Sequence, residues 1–354
     1  MMWAAASAAR AAGLDLAEIN AVGHLALLQV MHGSVQEAGG LAASACDLIE
    51  RGGWRNTIQS VAAHLAQALV HLERHDLDAA EEAVRAGTQA HDSDPEAAQR
   101  IVLHGVRARL ALANDDAVTA RYHLHAARAD RNARLRVPAL DQWLSLAGDE
   151  MELAADRPER ISERPADPSE DLPQRVIRAR AALAVRDLPL AERLLTVTGP
   201  AVLPHTAAAV EAGVIQALIA DSRGQASRAA EFLNKAVTLA GREGIRRPFR
   251  IHAGGRLEEL LHRLQLVNQD TTATVDALRP AMRAVDNAGS VEGLSDREKE
   301  VLRFLPTNLT AGQIAAELGI SVNTVRAHQR AIYRKSGVAR RSDAVVWARD
   351  HGLL

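Results

Sequence analysis

Small and apolar residues recur along most of this chain at a spacing that marks paired helices. In the clearest copy, Ala217-Leu-Ile-Ala220 leads into the turn Asp221-Ser-Arg-Gly224, and Ala229, Leu233 and Ala236 then follow at helical spacing. Ala68, His71, turn residue His75, Ala80 and Val84 fall at the same offsets. So do Ala108, Ala111, Asp115, Ala120, Leu124 and Ala127, and again Ala179, Ala182, Arg186, Ala191 and Leu195; Ala26, Gly33, Ala38 and Ala45 form a weaker copy. The pattern predicts two helices joined by a tight turn, with small side chains where their axes approach most closely.

The small residue after each turn stands at 38, 80, 120, 191 and 229, so the step is about 40 residues except across 120–191. That gap is expected to hold a degenerate copy around Leu140–Ala154. The pattern resembles a tetratricopeptide-type repeat, stretched beyond its usual period of roughly 34 residues. Ala155–Pro173 carries four prolines among dense charges and reads as an exposed linker or long loop. A second boundary falls across Asn268–Gly293, around one short helical pattern. The expected organisation is therefore repeats over 1–154, a Pro-rich segment over 155–173, repeats over 174–266, a linker with a short helix over 267–293, and a distinct domain over 294–354. The alanine-rich start reads as a fraying helix rather than a signal peptide, because Arg10 interrupts it and no basic leader precedes an apolar core.

Composition supports an all-α chain: 47% of residues are apolar, much of that alanine, against 3% aromatic. The single cysteine, Cys46, leaves no internal disulfide; it is expected as a small buried hydrophobe in a reducing cytoplasm. No apolar run is long enough for a membrane helix. Charge is unevenly shared along the chain. Residues 294–354 hold ten Lys/Arg against six Asp/Glu, a net of +4, while the rest of the chain has a net of −6. Between Ser321 and Arg341 stand Arg326, Arg330, Arg334, Lys335, Arg340 and Arg341, with no acidic residue. An acidic body with a basic end directs a polyanion to that end alone.

The order of elements there is specific. Ser295 and Glu298 form a capping-box pattern opening a helix whose buried face is Val301, Leu302 and Leu305, with Leu294 as its staple. Pro306-Thr-Asn308 ends it. Thr310 caps a short helix over Ala311–Leu318, with Ile314, Ala315 and Leu318 inward; Gly319 turns the chain and Ser321 caps the next helix. Two helices joined by a tight turn form a helix-turn-helix, whose second helix enters the DNA major groove. At 100° per residue Val325, Ile332 and Ser336 share one face, while Asn323, Arg326, Ala327, Arg330 and Arg334 share the opposite one. Asn323, Thr324, Arg326 and Ala327 lie where such helices meet base edges, and Thr310, Arg330, Arg334 and Lys335 are placed for phosphates.

Residues 294–354 resemble the LuxR-type helix-turn-helix family. The resemblance rests on Leu294-Ser-Asp-Arg-Glu-Lys-Glu-Val-Leu302, Thr324-Val-Arg-x-His328, Ile332-Tyr-Arg-Lys-x-Gly-Val338 and the closing Arg341-Ser-Asp-Ala-Val-Val-Trp-Ala-Arg349. It implies a four-helix DNA-binding domain with groove-reading positions at Asn323, Thr324, Arg326 and Ala327, and backbone contacts near Thr310, Val325 and Arg330. It also implies a last helix, Ser342–His351, used for dimer contact through Ala344, Val345, Trp347 and Ala348. Asn308, Gln329 and Ser336 depart from the family pattern, the last two where apolar residues are usual. The body resembles the helical-repeat region of MalT-like regulators, through Ile49-Glu-Arg-Gly-Gly-Trp54, Leu77-Asp-Ala-Ala-Glu81 and Ala240–Phe249. Those regulators also carry an ATPase, but no GxxxxGK[ST] phosphate loop occurs in this sequence, so no nucleotide cofactor is expected.

The whole chain is thus expected to be a TPR-like α-solenoid body followed by a four-helix DNA-binding domain. The partners expected are double-stranded DNA, a second copy as homodimer or DNA-assembled oligomer, and a small-molecule or protein effector on the body. The alternative is a repeat-protein adaptor with vestigial DNA binding. His71 and His75, and His123 and His125, lack the spacing and third ligand of a zinc site. No catalytic constellation stands out.

Overall fold

The computed structural model is all-α, with no strand among its described residues. It describes every residue except 1, 94–95, 132–137, 166, 168, 197–204, 287–293, 295, 308, 319–324, 326–327, 330, 334–335, 337, 339–340 and 351; the side chains of 93, 131, 269, 283–286, 296, 342 and 350 are also left out. The described chain falls into two compact units, Met1–Pro248 with Leu260–Val275, and Phe249–Glu259 with Asp276–Leu354.

The first unit opens with α1 (Met2–Ala11), α2 (Asp15–Met31), α3 (Val35–Gly52), α4 (Val61–Glu73) and α5 (Leu77–Ser93). It continues through α6 (Ala97–Ala113), α7 (Ala117–Arg131), α8 (Pro138–Ala154), α9 (Glu159–Ser162), α10 (Leu172–Ala184) and α11 (Leu188–Thr196) to α12 (Thr206–Ser222) and α13 (Ala226–Glu243). Neighbours α2 and α3, α4 and α5, α6 and α7, α10 and α11, and α12 and α13 pack as hairpins. Helices α2, α4, α6, α8, α10 and α12 also pack each on the next, forming a continuous row. After them come α14 (Arg247–Ile251), α15 (Gly255–Val267) and α16 (Thr272–Asp286), the last being the helix expected between 267 and 293.

Each hairpin is made by the same local device. Gly33, His75, Asp115, Asp156, Arg186 and Gly224 all have positive φ, from 53° to 82°, and reverse the chain just after a helix. In each case the next residue's N–H donates to the carbonyl five positions back, as Asp76 does to His71 at 2.9 Å and Asp116 to Ala111 at 2.8 Å. This bond satisfies a carbonyl that the helix end leaves without a partner. Asp76, Asp116 and Asp187 then accept side-chain bonds from the N–H groups of Ala79, Thr119 and Leu190, capping the following helix. Seven residues before the turn, Ala26, Ala68, Ala108, Ala179 and Ala217 are buried, as are Ala38, Ala80, Ala120, Ala191 and Ala229 five residues after it. Here the two axes cross, and a larger side chain would hold them apart.

The degenerate copy is also visible. Asp156 is its turn residue, Asp149 stands at the first small position and Ile161 at the second, fully buried. Its second helix is only the four-residue α9, bounded by proline-rich sequence. The segment expected as an exposed linker or long loop has most of its described residues exposed, but Pro158, Ile161 and Ser162 are buried. Arg164 forms a two-pronged bond to the buried Asp149 at 2.8 and 2.6 Å, and Arg178 holds Glu170 at 2.7 Å. The start of the chain is docked as well: Ala6 joins Ile19, Val22 and Ile49 in one apolar cluster, and Arg10 bonds Glu18 at 2.7 Å. Burial pushes the Cys46 thiol up to about 11, so it is not a nucleophile near neutral pH.

The row of helices returns on itself. The Thr206 hydroxyl donates to the Gly33 carbonyl, the Gln36 N–H donates to Glu243 at 3.2 Å, and the Arg246 N–H donates to the Glu73 carbonyl at 2.9 Å. Gly33 is needed twice over, because its φ is +82° and an added Cβ would collide with the His205 ring. Arg247 ties the closure electrostatically, donating to Glu150 at 2.6 and 3.0 Å and to Glu73 at 3.3 Å. Burial works against the Glu150 charge, but Arg247, then Arg109 and Arg180, hold its carboxyl below the ordinary value.

Replacing Arg247 by Met leaves two buried carboxylates without their cation, and should destabilise the first unit by about 3–5 kcal/mol in chemical denaturation. Adding Glu150→Gln to that variant should recover part of the loss. Acid should weaken the same unit. Burial first, then neighbouring cationic groups, lower His205 and His123 from 6.5 to about 4. The unfolded chain takes up these protons below about pH 6.5 while the folded chain refuses them until about pH 4. Denaturation midpoints measured at pH 7 and pH 4.5 should therefore fall with pH across this window, and a flat profile would contradict the assignment.

Candidate nucleic-acid interface

The second unit contains the C-terminal helices, α17 (Asp296–Phe304), α18 (Ala311–Leu318) and α19 (Arg341–Asp350). Between α18 and α19, Val325, His328, Gln329, residues 331–333 and Ser336 are helical. Leu294, Val301, Leu302, Leu305, Ile314, Ala315, Val325, Ile332, Ala344 and Ala348 form one buried cluster, with Leu318, Tyr333, Val338 and Trp347 packed against it. Val325 and Ile332 are both fully buried, as their shared helical face requires, and His328 and Gln329 are half-buried beside them.

The turn region is held by hydrogen bonds of two kinds. Thr310 and Gln313 cap α18 reciprocally: the Gln313 N–H donates to the Thr310 hydroxyl oxygen at 3.3 Å, and the Thr310 N–H donates to Gln313 Oε1 at 2.9 Å. Thr310, a candidate phosphate contact, is thus first a helix cap. Arg341 supplies the other kind. Its guanidinium donates to the carbonyls of Leu305 at 2.9 Å, Leu309 at 2.8 Å, Phe304 at 3.0 Å and Thr307 at 2.7 Å. One cation therefore closes the end of α17 and fixes the link into α18. Four of its donors are consumed this way, so Arg341 is a clamp inside the domain.

Ser336 fits more easily than its polarity suggests, because its hydroxyl donates to the Ile332 carbonyl of its own helix at 2.7 Å. On α19 the four candidate dimer residues divide. Ala344 and Ala348 are fully buried in the domain's own core, and Val345 and Trp347 are half-buried. Two of the four are therefore inaccessible to a partner in this conformation. The outward apolar residue is Val346, 58% exposed, which the family resemblance did not single out. Ser321, Asn323, Thr324, Arg326, Ala327, Arg330, Arg334 and Lys335 lie outside the described residues, as do the predicted cap Ser295 and Asn308.

Of the histidines considered as metal ligands, His75 forms a hairpin turn and His71 lies 3.6 Å from Asp76. His123 Nδ1 sits 2.9 Å from His104 Nδ1. Among the described residues no group of three His, Cys, Asp or Glu could hold a metal ion. No helix searched among those residues is long and apolar enough to cross a membrane.

Arg341→Ala should release four carbonyls at once and loosen the domain by about 2–3 kcal/mol. Hydrogen–deuterium exchange of the full chain should show faster exchange over 304–318, and Arg341→Lys should not restore protection because an ammonium cannot span the fork. Unchanged exchange in Arg341→Ala would refute the clamp.

The family model described as bacterial regulatory proteins, luxR family, matches residues 292–348. The chain is 46% identical over 59 residues to a probable transcriptional regulatory protein SgaR of Hyphomicrobium methylovorum, covering 17% of this chain and 28% of that protein. It is 41% identical over 58 residues to the CsgBAC operon transcriptional regulatory protein of Escherichia coli, covering 16% and 27%. Over 90 residues it is 33% identical to a nitrate/nitrite response regulator protein homolog of Haemophilus influenzae, covering 25% and 43%. The chain spans less than half the length of each of these relatives. Matched in sequence and built around one buried cluster with a capped turn, residues 292–348 are a luxR-family regulatory domain at the C-terminal end of a helical body.

Proposed function

We propose that this chain is a sequence-specific DNA-binding transcription regulator whose helical body receives an effector. The observation that carries the reading is the complete burial of Val325 and Ile332 on one helix behind a Thr310–Gln313 cap. By helical period, the sequence assigns Asn323, Arg326, Ala327, Arg330 and Arg334 to the face opposite those two residues. Asn323, Thr324, Arg326 and Ala327 then read base edges, Ser321 starts the helix, and Thr310, Arg330, Arg334 and Lys335 hold phosphates. Val325 serves this interface as the inward anchor of the reading helix.

Binding through phosphates falls steeply as salt rises, and the net charge of −6 on the body keeps DNA at the basic end. One reading helix spans a half-site, so the working form is a dimer or an oligomer assembled on DNA. Val346, exposed on α19, supports self-association through that helix, with Val345 and Trp347 beside it. The body is read as a TPR-like solenoid, supported by its repeated hairpins and by the continuous row from α2 to α12. These functions belong to the cytoplasm, where the DNA is.

Arg326→Ala should weaken specific binding by about 1–3 kcal/mol and relax preference at one base position. Selection of bound fragments from a randomised pool checks this, and an unchanged preference would remove Arg326 from the reading set. In gel-shift assays the full chain should retard such fragments and a 1–290 truncation should not. Retardation by the truncation would favour a different surface.

A further inference from the structure

The row of helices in the first unit encloses a cavity of ≈ 70 Å³, lined by at least one residue from each of α2, α4, α6, α8, α10 and α12. A water needs roughly 10–15 Å³ of such volume, so the space admits a few waters or a small organic ion, but no sugar chain or nucleotide. Its charged groups are unevenly satisfied. Arg180 bonds Glu211 at 3.1 Å, and Arg247 bonds both Glu150 and Glu73. Arg109 is different. Its side chain is 16% exposed, its nearest carboxylate oxygen is Glu150 Oε2 at 3.9 Å, and its Nε has no hydrogen-bond partner.

Arg109 is nevertheless firmly placed. Its guanidinium lies over the Trp143 ring at 5.0 Å, a cation–π contact that leaves the hydrogen-bonding edge unclaimed. Trp143 in turn rests on Gly105, where an added Cβ would collide with the ring. A second donor lines the same cavity. His205 Nδ1 accepts the capping bond from the Ala208 N–H at 3.2 Å, which leaves the imidazole proton on Nε2. The three glutamates of the lining disfavour a doubly charged ligand such as phosphate, whereas one planar carboxylate matches an unoccupied guanidinium fork.

We infer that this cavity is a binding site for a small monocarboxylate, held by the Arg109 fork and by the His205 Nε2–H donor. The inference rests on the reading of the body as the effector-receiving part of the regulator, and gives that effector a chemical class. Binding adds a partner to the one buried guanidinium of the lining whose Nε has none. It also bridges α6 to the residue that caps the start of α12.

Isothermal titration of the full-length protein with acetate, propionate and pyruvate tests this, with propionamide as neutral isostere and inorganic phosphate as the doubly charged contrast. At least one carboxylate should bind saturably, while propionamide and phosphate should not bind at the same concentrations. Arg109→Gln should weaken that binding by about tenfold to a hundredfold at unchanged helicity by circular dichroism. His205→Asn, which keeps a capping oxygen for α12, is the second variant and should also weaken it. Absence of saturable carboxylate binding, equal binding of propionamide, or full binding in a folded Arg109→Gln would overturn the site. Gel shifts with and without the carboxylate separate the two levels. Binding that leaves DNA affinity unchanged keeps the site and removes the effector reading; intact DNA binding without carboxylate binding removes only the site.

Discussion

Close approach of paired helices at alanine underlies everything else in the body. Two axes cross with only methyl groups between them, and a left-handed residue reverses the chain a few positions away. The turn and the crossing depend on each other: the crossing sets where the second helix must start, and the turn bond ends the first helix at that point. Gly33 and Gly224 adopt the left-handed conformation freely, whereas His75, Asp115, Asp156 and Arg186 adopt it at some conformational expense. Packing over the whole hairpin offsets that strain, and aspartates just after three of the turns add a cap.

Repetition of this unit has a consequence that no single hairpin contains. Six helices in a row, each packed on the next, meet again at Gly33, Glu73 and Arg247. The closure brings three arginines and three glutamates to a common lining, where Arg180 and Arg247 hydrogen-bond carboxylates while Arg109 approaches one only at 3.9 Å. Buried ion pairs are weak evidence for stability taken one by one, because desolvation opposes attraction. Here their placement matters more, since they seal the row and leave Arg109 over Trp143.

The C-terminal domain solves a different problem, that of holding short helices at fixed angles around a small core. Its buried apolar cluster supplies part of the answer. Polar devices complete it: the Thr310–Gln313 cap at the start of α18 and the Arg341 clamp across the end of α17. An arginine in a basic stretch thus looks like a DNA contact and works as a brace.

The residues alone determined the helical class, the hairpin positions and the buried face of Val325 and Ile332, because those depend on local period and turn chemistry. The αL turns at Gly33, His75, Asp115, Arg186 and Gly224 stand at the positions the spacing marks, and α18 covers Ala311–Leu318 as its cap and period require. Tertiary structure decided the rest. It pinned the proline-rich segment through the Arg164–Asp149 pair, docked the alanine-rich start, consumed Arg341 within the domain and turned Ala344 and Ala348 inward. It alone brought Arg109, Trp143 and His205 around one cavity. The physical reason is range: period and capping act over a turn or two of helix, whereas the partner of a charge is chosen by whichever distant segment the closed packing places beside it.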